Sequence, residues 1–533
     1  MLVKACSERG RDTSIRQVAH TEQPEYQVPV QQAPGTASLL AGDLDDLGEQ
    51  APREECGVFG VWAPGEEVSK LTYFGLFALQ HRGQEAAGIA VGDGDQIVVY
   101  KDLGLVSQIF DEPTLDSLKG DVAIGHTRYS TAGGVTWENS QPMFRVAPDG
   151  TDVALCHNGN LVNYLELLDE AAEKDLVNKD KHPSDSDVMT ALLAEKIADG
   201  KTLLDSAREV LPHIKGAFCL TITDGHTLYA ARDPEGVRPL CLGRLDRGYV
   251  IASETCALDI IGASFVREIM PGELVAIDEA GIRSERFAEP RRKGCVFEYV
   301  YLARPDSTIR GRNVNATRLE IGRRLAREWP ADGDLVIPVP ESGNPAAVGF
   351  AQESGIPFGQ GLVKNAYVGR TFIQPSQTLR QLGIRLKLNP LREVIAGKSL
   401  VVVDDSIVRG NTQRALIRML REAGAAQVHV RIASPPVKWP CFYGIDFASP
   451  GELLANAVTG NNEDEMIASV CAAIGADSLG YVSTQSMIEA TEQPADELCA
   501  ACFDGVYPLG LPKGNQNAEL VSALQRGNCA SID

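Results

Sequence analysis

Apolar and polar positions follow two rhythms along this chain, and the change between them divides it. From residue 56 to about 290, short apolar runs predict strands over 56–62, 121–127, 215–223 and 248–252, alternating with helical stretches at about 67–80 and 186–199. Short strands interleaved with helices in this way require stacked sheets covered by helices. After Pro290-Arg-Arg-Lys293 the order becomes helix 314–328, strand 335–339, helix 344–354, strand 399–403, helix 412–423 and strand 427–432, the βα rhythm of a doubly wound sheet. The expected division is an extension over 1–55, an α+β domain over 56–290, an α/β domain over 291–480 and a C-terminal segment over 481–533 in which Gly and Pro are frequent.

The strand predicted over Leu400–Val403 empties into Asp404 and Asp405, then Ser406, Arg409, Gly410, Asn411 and Thr412 open the next helix. Open α/β sheets place ligands at the carboxyl ends of their strands. A loop of amides and hydroxyls there suits a phosphate, whereas two adjacent carboxylates repel one and instead suit ribose hydroxyls or a hydrated Mg²⁺. The combination asks for a sugar phosphate. Gly397-Lys398-Ser399 mimics the end of a Walker A loop, but Arg392 stands where that loop needs its first glycine, and the tripeptide precedes its strand instead of following it. The segment resembles the phosphoribosylpyrophosphate (PRPP) loop of type I phosphoribosyltransferases.

Composition narrows the partners. With 44% hydrophobic residues and a net charge of −22 (50 basic, 72 acidic), the chain reads as soluble and acidic, so neither nucleic acid nor a membrane is expected. Against that background Lys364, Arg370, Arg380, Arg385, Lys387 and Arg392 lie in a stretch with no acidic residue, interrupted by Gly369, Pro375, Gly383 and Asn389-Pro390. This is the pattern of a basic lid over a small polyanion, and the resemblance implies Lys364 and Arg370 as its PRPP contacts.

Far upstream, Cys56 opens the glycine-rich apolar run Gly57-Val-Phe-Gly-Val-Trp62. An internal cysteine in such a run is usually only a small buried side chain. Its company changes the reading: Gln80-His-Arg-Gly83, His126-Thr-Arg-Tyr-Ser-Thr131, His157-Asn-Gly-Asn-Leu161 and Ser184-Asp-Ser-Asp187 follow in order. Together these blocks resemble the N-terminal-nucleophile (Ntn) glutamine amidotransferases. The resemblance implies that Cys56 is the first residue of the mature chain and that its α-amine, with a reference pKa of about 7.7–8.0, acts as its base. It further implies Asn158 and the Gly159 N–H as oxyanion donors. Glutamine would be held by Arg82, Arg128 on the α-carboxylate, Thr131, and Asp185 on the α-amine, with Asp187 the neighbouring alternative to Asp185. His126 and His157 receive no catalytic role. Residues 1–55 are then expected to be a disordered propeptide, the alternative being a retained tail that leaves Cys56 internal and the amidase dead; they carry no signal-peptide core and are too acidic around Gly42–Gly48 for a transit peptide.

Twelve cysteines without a secretory signal indicate reduced thiols and a cytoplasmic protein. Cys156, Cys219, Cys241, Cys256 and Cys471 fit core packing, and Cys6 and Cys529 fall in tails. Cys499-Ala-Ala-Cys502, Cys295 at the domain junction and Cys441 in Pro440-Cys-Phe-Tyr-Gly444 look different. A lone Cys-x-x-Cys is half a zinc site or a redox pair. The four together are similar to the [4Fe-4S] ligands of one subset of the glutamine PRPP amidotransferase family, with zinc the runner-up metal.

Arg304-Pro-Asp-Ser307, Val339-Pro-Glu-Ser-Gly343 and Ser434-Pro-Pro436 extend that resemblance over essentially all of the chain after residue 54. It implies an Ntn glutaminase sandwich followed by a type I phosphoribosyltransferase sheet, with Ser342, Asp404 and Asp405 as Mg²⁺ contacts. The implied reaction converts glutamine, PRPP and water to 5-phosphoribosylamine, glutamate and pyrophosphate, the entry to purine synthesis. A homotetramer inhibited by purine nucleotides is implied as well. Two other classes weigh less. Hexosamine and asparagine synthetases need a sugar isomerase or ATP pyrophosphatase domain, and a PRPP-sensing regulator has no use for Cys56 and its companion blocks.

Overall fold

The computed structural model describes residues 2–4, 56–129, 136–198, 200–365, 387–445, 449–458 and 462–529. In the first half, two antiparallel sheets face one another. The larger runs in the order Leu2–Lys4, Ile97–Leu103, Ala86–Gly92, Val122–Arg128, Gly57–Trp62, Gly248–Ala252, Cys241–Leu245, Ser264–Glu268. The smaller runs Gly281–Arg286, Glu273–Asp278, Leu228–Arg232, Gly216–Thr223, Asp152–Leu161, Met143–Val146.

The inner faces explain the apolar alternation. Val58, Ile124, Ile251, Cys156, Cys219 and Val275 meet between the sheets in a dry layer. The outer face of the larger sheet buries Phe59, Val61 and Ile89 against Val68 and Leu76 of the helix Val68–Ala78 and Leu79 just after it. The outer face of the smaller sheet is covered by the helices Tyr164–Glu173, Asp185–Glu195 and Leu203–Val210. Gly75 is required by this packing, because a Cβ there would stand 2.3 Å from the Phe59 ring. The domain is thus a four-layer sandwich, helices outside and sheets within.

The second half is built on four parallel strands in the order Leu335–Pro338, Ser399–Asp404, Gln427–Ile432, Ser478–Tyr481. Ser399–Asp404 is nearly all buried because helices cover both its faces. Val401 and Val403 pack toward the helices Val314–Glu328 and Asn344–Ser354, and Leu400 and Val402 toward Asn411–Glu422 and Glu463–Ile474. The sheet is therefore doubly wound. Beyond it, the C-terminal segment returns to the junction, where Leu498–Cys499 forms a two-residue parallel ladder with Gly294–Cys295.

Candidate functional site

Cys56 stands at the mouth of the sandwich, immediately before the central strand Gly57–Trp62. Gly57 pairs with Thr127 and Val58 with His126, which brings Cys56 beside Arg128 and Tyr129. The Cys56 thiol donates to the Tyr129 carbonyl at 3.5 Å. Burial pushes it up to about 11, against the opposing pull of that hydrogen bond and of the Arg128 charge. A neutral thiol is a poor nucleophile, so the site needs a base.

The two histidines of the companion blocks have partners of their own. His126 Nε2 donates to the His157 carbonyl at 3.0 Å, and burial draws the ring down to about 3. His157 lies 3.2 Å from Ser186 Oγ through Nδ1 and 3.4 Å from the Ala217 carbonyl through Nε2.

The strand Asp152–Leu161 carries the oxyanion candidates. Asn158 is fully buried, yet neither its side-chain oxygen nor its nitrogen has a hydrogen-bond partner among the described residues. An unsatisfied buried polar group costs about 1–3 kcal/mol, a cost that a bound ligand removes. Gly159 follows at φ +146°, and a Cβ there would lie 2.0 Å from the Ala217 carbonyl, so only glycine fits.

Asp185 begins the helix Asp185–Glu195, whose cap is the Ser184 hydroxyl accepting from Asp187 N. Burial pushes the Asp185 carboxyl up, but the His157 charge and the N–H groups of Ser186 and Leu161 outweigh it and hold the group below its usual range. Asp185 and Arg128 both act on the Cys56 thiol electrostatically. Asp187 instead turns to Arg145, at 2.7 and 2.9 Å. Thr131 lies outside the described residues.

Arg82, the first of the expected glutamine contacts, has acidic partners. Its guanidinium is buried between Glu254 and Glu298, 2.5 Å from the latter, so its charge is neutralised within the protein. Glu254 also meets His81 Nε2 at 2.6 Å and accepts from Ser307 Oγ at 2.6 Å and Arg304 N at 2.8 Å. His81 and Arg82 of the Gln80-His-Arg-Gly block thus meet side chains from both halves of the chain.

At the second site, Asp404 and Asp405 leave the carboxyl end of their strand, both largely buried. Ser342 Oγ and Ser406 Oγ donate to Asp405 at 2.5 and 2.6 Å. Gln413 donates to Asp404 from the first turn of the next helix, a partner that strand-and-loop reasoning did not single out. Burial and then the Asp405 charge raise Asp404 well above the usual carboxylate range. Two such carboxylates ionise together only beside a cation or hydroxyl donors. Gly410, at φ +76°, starts the helix Asn411–Glu422, and a Cβ there would sit 2.4 Å from Leu454. Asn411 accepts from Arg414, Thr412 follows in the first turn, and Arg409 pairs with Glu452 at 3.1 Å. Lys364 pairs with Glu341 at 3.3 Å. Arg370 and most of the basic stretch lie outside the described residues.

The four singled-out cysteines converge from three segments. Cys295 and Cys499 are register partners, Tyr443 N donates to Cys441 Sγ at 3.3 Å, and the Cys502 carbonyl accepts from Lys438 N and Trp439 N. Cys295, Cys441 and Cys499 each add their charge to the burial that raises Cys502. Among the described residues no three His, Cys, Asp or Glu side chains are grouped to hold one metal ion.

Cys156, Cys219, Cys241 and Cys256 are buried, as core packing predicts, and Cys471 is half-buried. Arg238, fully buried, carried no sequence signal. It donates twice to the Tyr443 carbonyl, at 3.0 and 2.8 Å, and stands 3.6 Å from Glu298.

A cysteine-headed sandwich joined to a doubly wound sheet with an Asp-Asp loop defines a two-domain glutamine-dependent transferase, and residues 126–259 match the family model of a glutamine amidotransferase domain. An amidophosphoribosyltransferase of Mycobacterium tuberculosis is 68% identical over 484 residues, covering 90% of this chain and 91% of that one. Two solved structures match at 42% identity. One, described as the allosteric regulatory enzyme of purine biosynthesis, has a TM-score of 0.80 and covers 87% of this chain and 99% of its own. The other, glutamine PRPP amidotransferase from B. subtilis complexed with ADP and GMP, has a TM-score of 0.79 and covers 87% and 100%. The chain belongs to the amidophosphoribosyltransferase family. Its reaction is that of the family, glutamine and PRPP to 5-phosphoribosylamine, the first step of purine biosynthesis.

Proposed function

We propose that this enzyme works as two sites in series, with Cys56 as a self-activating N-terminal nucleophile once residues 1–55 are removed. The observation that carries this reading is the Cys56 thiol: buried, with a carbonyl as its hydrogen-bond partner and both nearby histidines engaged elsewhere. A base must come from somewhere, and a free α-amine on Cys56 is the group close enough.

In this reading Arg128 holds the glutamine α-carboxylate and Asp185 its α-amine. Cys56 Sγ attacks the carboxamide carbon, and its proton passes through the α-amine to the leaving nitrogen. Asn158 and the Gly159 N–H take the developing oxyanion, which gives the orphaned amide its partner. Ammonia departs and water hydrolyses the thioester to glutamate. Free ammonia in water near pH 7 would be mostly protonated, so it passes internally to C1 of PRPP as pyrophosphate leaves.

Asp404, Asp405, Ser406, Arg409, Gly410, Asn411 and Thr412 hold PRPP, with Lys364 and Arg370 reaching it from the basic segment. The buried Asp404–Asp405 pair with Ser342 fits a Mg²⁺ ion, which would neutralise the pyrophosphate leaving group. Cys295, Cys441, Cys499 and Cys502 would hold a [4Fe-4S] cluster, with zinc the runner-up metal, since four thiolates suit either. The support for one shared site is that these four feel one another's charge. The cluster would tie the C-terminal segment to the junction.

The domain limits 56–290, 291–480 and 481–533, a cytoplasmic homotetramer, and feedback by purine nucleotides complete the proposal. Among the described residues no helix is long and apolar enough to cross a membrane. Nucleotide feedback draws on the B. subtilis structure, which holds ADP and GMP. Mass and N-terminal sequence of fully active enzyme test the processing step. The expected first residue is Cys56, and full activity in a chain still beginning at Met1 overturns it.

A further inference from the structure

The three residues that follow Cys441 lie directly against the oxyanion strand of the other domain. Asn160 Nδ2 donates to the Phe442 carbonyl at 3.0 Å, although the two are 282 positions apart. Arg238 takes the next carbonyl, that of Tyr443, with two N–H groups at 3.0 and 2.8 Å. Gly444 then runs at φ +120°, where a Cβ would stand 3.3 Å from Gly159 Cα and 3.2 Å from Arg238 Nη2. The Arg238 guanidinium also hydrogen-bonds to Cys295 and feels the charge of Cys441. Gly159 is the residue whose N–H the proposed mechanism uses, and its neighbour Asn158 presents the orphaned amide.

We propose that Asn160 and Arg238 are positioning residues that clamp the Cys441–Gly444 ligand loop onto the oxyanion strand, so that the loop holding one cluster ligand also sets the geometry of the glutaminase oxyanion site. The inference rests on the two-site, cluster-bearing reading above. Its physical basis is distance and rigidity. Two backbone carbonyls in succession are taken by side chains of the glutaminase domain, which fixes the path of the loop. The glycine after them packs on the oxyanion glycine, so a shift of the loop moves that backbone. Oxyanion donors act only when aimed within a few tenths of an ångström, and a 1 Å misplacement costs about 10²-fold in rate.

A simple tie between domains would predict something else. Loosening it would release iron, lower stability and harm both half-reactions together. A positioning role separates them, because synthesis from ammonia at C1 of PRPP makes no use of the oxyanion donors.

The test uses the full mature enzyme with Asn160→Ala, which deletes one donor, and Arg238→Lys, which keeps the charge but not the forked contact. Iron per chain, glutamine-dependent kcat and KM, and ammonia-dependent synthesis are measured for each. The expected result is a glutamine-dependent kcat lowered about tenfold or more, with glutamine KM, iron content and the ammonia-dependent rate all within about twofold of the parent. Unchanged glutamine-dependent kcat in an iron-loaded Asn160→Ala enzyme overturns the proposal, as does a parallel fall in iron and in both rates. If Arg238→Lys does not accumulate, Asn160→Ala decides alone. A parent enzyme that holds no iron would instead overturn the cluster reading beneath it, and the two failures are told apart by that measurement.

Discussion

The Ser342 hydroxyl donates a 2.5 Å hydrogen bond to Oδ1 of Asp405, joining the turn after one parallel strand to the carboxylate pair at the end of its neighbour. Ser342 follows Leu335–Pro338, and Asp405 follows Ser399–Asp404, so the parallel register itself brings them together.

Replacing both Asp404 and Asp405 by Asn should lower glutamine-dependent and ammonia-dependent synthesis alike, by about 10²-fold or more, because the PRPP contacts are lost whatever the nitrogen source. Ser342→Ala should raise the KM for PRPP with a smaller effect on kcat. Since Asp404 is raised by burial and by Asp405, falling pH protonates it first, and PRPP binding should weaken on the acid side. Initial rates at several PRPP concentrations and pH values check all three.

Cys56→Ala, in a chain that starts at that residue, should abolish the glutamine-dependent reaction and spare synthesis from high ammonium at alkaline pH. Asn158→Ala should lower glutamine-dependent kcat by about 10²–10³-fold, the size expected for one oxyanion donor. Loss of the ammonia reaction in either variant, with the fold intact by circular dichroism, would contradict separate sites.

Anaerobically purified enzyme should be brown and carry about four irons per chain. Cys499→Ala should lose the colour and lower Tm by about 5 °C or more, since this residue belongs to the two-residue ladder that holds the C-terminal segment. Stoichiometric zinc in a colourless, fully active preparation would rule out the cluster.

His126 gives an acid limit. Burial takes its ring from an ordinary value near 6.5 down to about 3, so the folded chain keeps it neutral while the unfolded chain protonates it. Its contribution is complete above the unfolded value and declines as pH falls toward the folded one, by about 1.4 kcal/mol per pH unit. Denaturant unfolding of His126→Gln between pH 6 and 4 should show a shallower pH dependence than the parent.

The repeating apolar pattern placed several elements closely: the helices Val314–Glu328 and Asn344–Ser354 and the strands Gly248–Ala252 and Gln427–Ile432 match their predicted limits. These elements bury one face or both, so their period is written in the residues. The strand Asp152–Leu161 was not predicted as a strand. His157, Asn158, Gly159 and Asn160 interrupt the apolar run that would have marked it.

The sequence by itself determined the fold class, a glutaminase sandwich followed by a doubly wound sheet, and it singled out Cys56, Asn158, Gly159, Asp404, Asp405 and the four distinctive cysteines as candidates, because each depends on residue type within a short segment. Only the tertiary structure decided that Asp185 rather than Asp187 faces Cys56, since both lie in one helical turn and their directions depend on what packs there. It likewise set Arg82 between Glu254 and Glu298, and Arg238 and Asn160 against the Cys441 loop. Those partners lie far apart along the chain. Their meeting depends on how two independently patterned domains dock, and no local period records it.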